Sequence, residues 1–113
     1  MRFRSRLWII VPALVIPLLL LAAEKGNPAK GKEVYARCAI CHGDSGEGKE
    51  AIAKALGVKM PPLSSKEVQS LDDAAMKKAI VEGKGKMKPV SLTDNELADV
   101  IAYLRILNKP PQK

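Results

Sequence analysis

Cysteine and histidine are scarce in this chain of 113 residues: two of the first and one of the second. A structural zinc site takes four protein ligands, so these three residues cannot furnish one alone. Aromatic residues are almost as few: Phe3, Trp8, Tyr35 and Tyr103. Only the two tyrosines lie beyond the N-terminal segment. A domain of about 90 residues with so few large side chains has a thin core of its own. Small scaffolds of that kind commonly need a staple, and a buried cofactor would supply the missing apolar bulk. No stretch alternates apolar and polar residues at strand period, and no segment repeats, so the fold class is all-α. Basic residues are not interleaved with aromatics, which argues against nucleic acid as a partner.

Charge is present in mild excess. The net charge is +7, of which Arg2, Arg4 and Arg6 supply three. From Glu24 to Lys113 there are 16 Lys and Arg against 12 Asp and Glu. That surplus fits an acidic protein partner and also plain solubility. After the arginines, Leu7 to Ala23 runs 17 residues without a polar side chain. A charged stretch followed by an apolar one reads as an export signal. A retained membrane anchor is the alternative, because 17 residues is the lower edge of a spanning length. Leu21-Ala22-Ala23 is a poor A-x-A cleavage site. Trp8, beside the arginines, suits a membrane interface. Either way, residues 1–23 stand apart as signal or anchor, and the rest lies outside the bacterial cytoplasm.

The chemistry concentrates in Cys38-Ala39-Ile40-Cys41-His42. Two cysteines three apart, followed directly by histidine, form the C-x-x-C-H pattern of covalent haem attachment. Residues three and four apart share a helical face. Cys38, Cys41 and His42 can therefore address one flat object together. The thiols would bond its two vinyl groups, and the imidazole would reach its iron. The rival readings are a thioredoxin-like redox pair, a zinc half-site and a plain disulfide. The redox pair calls for a βαβ pattern, and none is visible.

Around the motif the chain reads as helices and loops. Asn27-Pro28 is an N-cap followed by a first helical residue. The helix runs from Lys30 to about Cys41, with Val34, Tyr35 and Cys38 on one side. Gly31 within it costs about 1 kcal/mol against alanine, which argues for close packing there. Gly43 to Gly48 is a glycine-rich loop without the ending of a phosphate loop. Lys49 to Leu56 forms a short helix, and Met60-Pro61-Pro62-Leu63 is stiff and extended. Ser70 with Asp73 caps a helix over Leu71 to Glu82, whose stripe is Ala75, Met76, Ala79 and Ile80. Gly83 to Pro89 reads as a second flexible loop. Thr93 and Glu96 form a capping box for a last helix to about Leu107, with Leu97, Val100, Ile101 and Leu104 at helical spacing.

These residues, taken together from Lys30 to Leu107, resemble a class I c-type cytochrome: small, monohaem, His/Met-ligated and bacterial. The resemblance rests on Gly31 and Tyr35, the motif through Gly43, the loop to Gly48, and Pro61-Pro62-Leu63. It continues with Ile80 to Gly83, the Met87 loop and Tyr103-Leu104. It implies a cytochrome c domain over 24–108, wrapped around one covalent haem c, with a polar tail at 109–113. The first and last helices would cross, placing Gly31 and Tyr35 against Val100 to Leu104. Cys38 and Cys41 would carry the thioethers and His42 would bind the iron. A proline carbonyl would receive the proximal histidine's proton; Pro62 is the matching position, with Pro61 next. Met87, in a loop before the last helix, would be the sixth ligand, with Met60 next. Met76, on an apolar stripe, is core filler.

Iron held by histidine and methionine has no open position, and methionine raises its potential. The implied function is therefore that of a periplasmic electron carrier cycling between ferric and ferrous iron. Its partners would be respiratory complexes or periplasmic reductases and oxidases. The alternatives are a haem enzyme or sensor with a labile sixth site, and a haem-free module with a Cys38–Cys41 disulfide.

Overall fold

The computed structural model describes Pro12, Ala13 and residues 25–108. The proposed signal or anchor over 7–23 and the tail at 109–113 lie outside the described residues, apart from Pro12 and Ala13. Five helices follow in order: α1 Pro28–His42, α2 Glu50–Leu56, α3 Lys66–Gln69, α4 Asp73–Glu82 and α5 Asp94–Ile106. Among the described residues there is no strand, only an isolated antiparallel bridge between Lys84 and Met87. That removes the βαβ setting a thioredoxin-like pair would need. No described helix is long and apolar enough to cross a membrane.

The core is the crossing of α1 and α5. Asn27 Oδ1 caps α1 by accepting from the Ala29 and Lys30 amides at 2.9 and 3.3 Å, and Pro28 follows as the first helical residue. The Thr93–Glu96 box opens α5, with both reciprocal bonds made at 2.9 and 3.2 Å. Such caps are worth about 1 kcal/mol each. Leu97, Val100, Ile101, Tyr103 and Leu104 of α5 are buried, Val100 completely. Burying a Val, Leu or Ile side chain is worth about 1.5–3 kcal/mol, so α5 contributes more to the core than any other element. Tyr35 meets Tyr103 with ring centroids 5.2 Å apart and tilted by 55°, a favourable aromatic arrangement. Met76 and Ile80 of α4 close the core from a third side. Met76 is indeed core; the stripe expected on α5 is buried throughout, and that on α4 is buried at Met76 and Ile80 with Ala75 and Ala79 half-buried.

Gly31 sets the distance of the crossing. A Cβ built there would lie 1.9 Å from the Asp99 carbonyl oxygen and 2.9 Å from Tyr103 Cβ. The two backbones meet where only hydrogen fits, as the sequence cost of Gly31 foretold.

Two expectations are corrected around α3. Asp72, not Ser70 with Asp73, caps α4: its carboxylate accepts from the Ala75 amide at 2.7 Å, and the helix starts at Asp73 rather than Leu71. Ser70 is occupied elsewhere, ending the single turn of α3 by donating to the Glu67 carbonyl at 3.0 Å. That turn is too short to show a period in sequence. Arg105 of α5 holds the α3–α4 corner, donating to the Gln69 and Leu71 carbonyls at 2.9 and 2.6 Å and to Asp73 at 2.8 Å. Gln69 returns the contact, donating to the carbonyls of Leu63 and Leu104 at 2.8 and 2.9 Å.

Replacing Gly31 by alanine tests the crossing. On helix propensity alone the change stabilises by about 1 kcal/mol. Overpacking against backbone costs about 1–3 kcal/mol and dominates here, because the Asp99 carbonyl cannot rotate away. Gly31→Ala therefore lowers the midpoint of chemical denaturation. A midpoint equal to or above the parent's contradicts the close approach.

Candidate functional site

Cys38, Cys41 and His42 occupy the last two turns of α1, where their spacing puts them on one side. All three are half-buried, whereas Ile40 between them is two-thirds exposed at 67%. Both thiols are free. Burial pushes the Cys38 thiol up, with a smaller downward pull from Arg37. Burial likewise pulls the His42 imidazole below its ordinary value, favouring the neutral form that can bind a metal. Among the described residues no group of three or more His, Cys, Asp or Glu could hold a metal ion. The zinc reading therefore finds no partners there.

The helix end that carries the motif is closed by its own loop. The last carbonyls of a helix lack intrahelical donors. Here Ala39 accepts from the Gly43 amide at 2.9 Å, Cys41 from Lys49 at 3.1 Å and His42 from Gly48 at 2.7 Å. The Gly43 carbonyl accepts from Gly46 at 3.2 Å and from the Tyr35 hydroxyl at 2.6 Å. Gly43, Gly46 and Gly48 have φ of 82°, 74° and 79°, a region side chains seldom enter. The loop is thus a hydrogen-bonded lock on the motif. Tyr35 links that lock to the core, and its burial pushes the phenol up to about 12. The family resemblance placed the Tyr35 ring against α5; the role of its hydroxyl was not legible, because its acceptor lies eight residues away across a loop.

The proline segment is tied to the same loop, since the Leu63 amide donates to the Gly46 carbonyl at 2.8 Å. The Pro62 carbonyl accepts from the Ser65 amide at 2.9 Å, at the turn leading into α3. Among the described residues the Pro61 carbonyl accepts no hydrogen bond. His42 Nδ1 is buried without a hydrogen-bond partner. A buried polar atom left unpaired costs about 1–3 kcal/mol. Such a site suits an imidazole held for another role.

Met87 sits in a tighter setting than a flexible loop. Lys84 and Met87 exchange two backbone hydrogen bonds at 3.1 and 2.9 Å, and Gly85 makes the turn at φ 58°. The Val90 amide donates to the Ile80 carbonyl at 2.8 Å and fastens the far side to α4. Met87 and Cys38 both pack against the buried core, so the methionine turn and the motif helix share one apolar centre. Met60 packs instead beside Gly48 and lines a separate concavity of about 840 Å³ with α2 and Glu67. None of Cys38, Cys41, His42 or Met87 lines that concavity.

The residues present fit a covalently attached haem. They offer two free thiols at the required spacing, an adjacent imidazole with a buried, unpaired Nδ1, and little apolar bulk of their own. Comparison with known proteins agrees. The cytochrome c family model matches residues 28–108. The thiosulfate dehydrogenase of Stutzerimonas stutzeri (strain A1501) is 36% identical over 92 residues, covering 73% of this chain and 28% of that protein. The cbb3-type cytochrome c oxidase subunit CcoP of Azospirillum sp. (strain B510) is 34% identical over 91 residues, covering 76% of this chain and 30% of that one. The chain thus spans less than a third of the length of these curated relatives. A C-x-x-C-H turn locked at the end of α1, a helical shell around it and a family match across the whole shell lead to one assignment: the chain belongs to the cytochrome c family and carries covalent haem c.

Proposed function

We propose that this protein is a one-electron carrier working outside the bacterial cytoplasm, and not itself an enzyme. When bound, haem c supplies reversible one-electron chemistry between ferric and ferrous iron. The observation that carries the reading is that Met87 packs on the same core as Cys38, the first cysteine of the motif. Cys38 and Cys41 would hold the group covalently. His42 would supply an imidazole nitrogen to the iron and Met87 a thioether sulfur. The His42 Nδ1 proton would go to a carbonyl of the proline pair. Pro62 is the position carried from the family pattern, and its second lone pair is free; the neighbouring Pro61 carbonyl has no described donor. Such a bond fixes the imidazole and raises its basicity.

Redox partners follow from charge. Lys84, Lys86 and Lys88 are all exposed around the Met87 turn, where they would steer an acidic protein. The two relatives are a dehydrogenase and a subunit of an oxidase, which supports a partner among respiratory complexes or periplasmic reductases and oxidases. The arginine-led apolar segment before residue 24 supports export.

Removing the thioether separates carrier from enzyme or sensor. The ferric parent should show the weak far-red band of methionine sulfur on low-spin iron, and Met87→Ala should lose it. The variant should also have a lower midpoint potential and should bind carbon monoxide readily when ferrous. Met60→Ala should keep the band. Persistence of the band in Met87→Ala contradicts the ligand assignment, and ready carbon monoxide binding by the parent favours the labile-site alternative. Reversing the charge of Lys84, Lys86 and Lys88 to glutamate should slow electron exchange with an acidic redox protein by roughly tenfold or more at low salt. Stopped-flow rates should converge as ionic strength rises. Equal rates at low salt remove the docking role.

A further inference from the structure

The chain entering the domain is fastened to α5 before α1 begins. A Cβ on Gly26 would lie 1.9 Å from the Ala98 carbonyl oxygen, so the two backbones are in direct contact. The Asn27 amide donates to Asp99 Oδ1 at 2.7 Å, a bond across 72 residues. Lys25, Gly26 and Lys30 face Asn95, Ala98 and Asp99 across a small cleft. This entry segment is thus held at the amino-terminal half of α5 and does not act as a free linker.

The apolar run ends at Ala23, so only Glu24 and Lys25 separate it from the docked Gly26. The three Cα steps from Ala23 to Gly26 can span at most about 10 Å. Leu21 stands where an A-x-A signal site takes a small residue. We propose that the docked Gly26 and Asn27 act as a short strut that holds the haem domain against the membrane, with the start of α5 toward the lipid. The proposal rests on the carrier reading and on retention of residues 7–23. Lys25 and Lys30, both exposed at this end, face the side where anionic headgroups would lie. A domain so held cannot swing outward to meet a distant protein. Its electron partner is therefore a redox protein embedded in, or bound to, the same membrane.

Neutron reflectometry of the full haem-loaded chain in a supported phosphatidylcholine–phosphatidylglycerol bilayer reads the height of the domain. The parent should show protein density starting at the headgroups. A variant with 15 Gly/Ser residues inserted between Ala23 and Glu24 should move that density outward by about 20 Å, the root-mean-square reach of such a linker. Parent density already displaced from the headgroups, or identical profiles for the two proteins, overturns the strut. So does a purified parent whose amino terminus begins at or after residue 24. Hydrogen exchange checks the fastening itself: the Asn27 amide should be protected in the parent and exchange at least tenfold faster in Asp99→Ala. An unprotected parent amide also overturns it. Redox cycling, followed by absorbance in the same samples, is independent of height, so a membrane-held protein that does not cycle counts against the carrier reading alone.

Discussion

The close approach of α1 and α5 at Gly31 is the constraint from which the rest follows. It fixes where α1 lies, and α1 carries both thiols and the imidazole on its last turns. The contacts near the crossing are of several kinds. Gly31 brings backbone to backbone, Tyr35 and Tyr103 pack ring on ring, and Asn27 joins Asp99 through a charged hydrogen bond. Each acts on α1 from the same partner helix. The far end of α1 is then positioned by a scaffold rather than by the loop that follows it.

From that end the hydrogen bonds run outward in sequence. The carbonyls of Ala39, Cys41 and His42 are taken by the loop through Lys49, the Gly43 carbonyl by the Tyr35 hydroxyl, and the Gly46 carbonyl by Leu63. Gln69 donates to Leu63 and to Leu104 of α5, closing a circuit back to the crossing. Groups that would be unsatisfied at a helix end become the means by which the proline segment is drawn beside the motif. Met87 arrives by a different route, through the turn fastened to α4 at Ile80. A cofactor gripped by these two routes would be held between elements that share one core, which suits an iron centre required to change charge with little rearrangement.

Much of this was legible in the sequence where one residue type has one physical use. Asn27-Pro28 and the Thr93–Glu96 box marked two helix starts, and helical spacing gave the stripes of α4 and α5. Gly31 announced a close contact because a glycine in mid-helix otherwise costs stability. The C-x-x-C-H motif named its cofactor, and the family match supports it. What escaped depended on partners far apart in the chain. The turn of α3, the cap at Asp72, and the Arg105 and Gln69 clamps involve residues that are individually ordinary. The Met87 segment, rich in glycine and lysine, read as flexible because composition does not show that Lys84 and Met87 bond to each other. Which proline carbonyl would serve His42 was likewise not legible, since two adjacent prolines differ only in what else their oxygens accept.

All of this requires the thiols of Cys38 and Cys41 both to be bonded to one haem. Mass spectrometry of the denatured protein, purified from a host competent for cytochrome maturation, tests it most directly. The expected product is a red protein whose covalent mass is the polypeptide plus a single haem, with a loss of that covalent attachment when both cysteines are replaced by alanine. A colourless product with the mass of the polypeptide alone would contradict it.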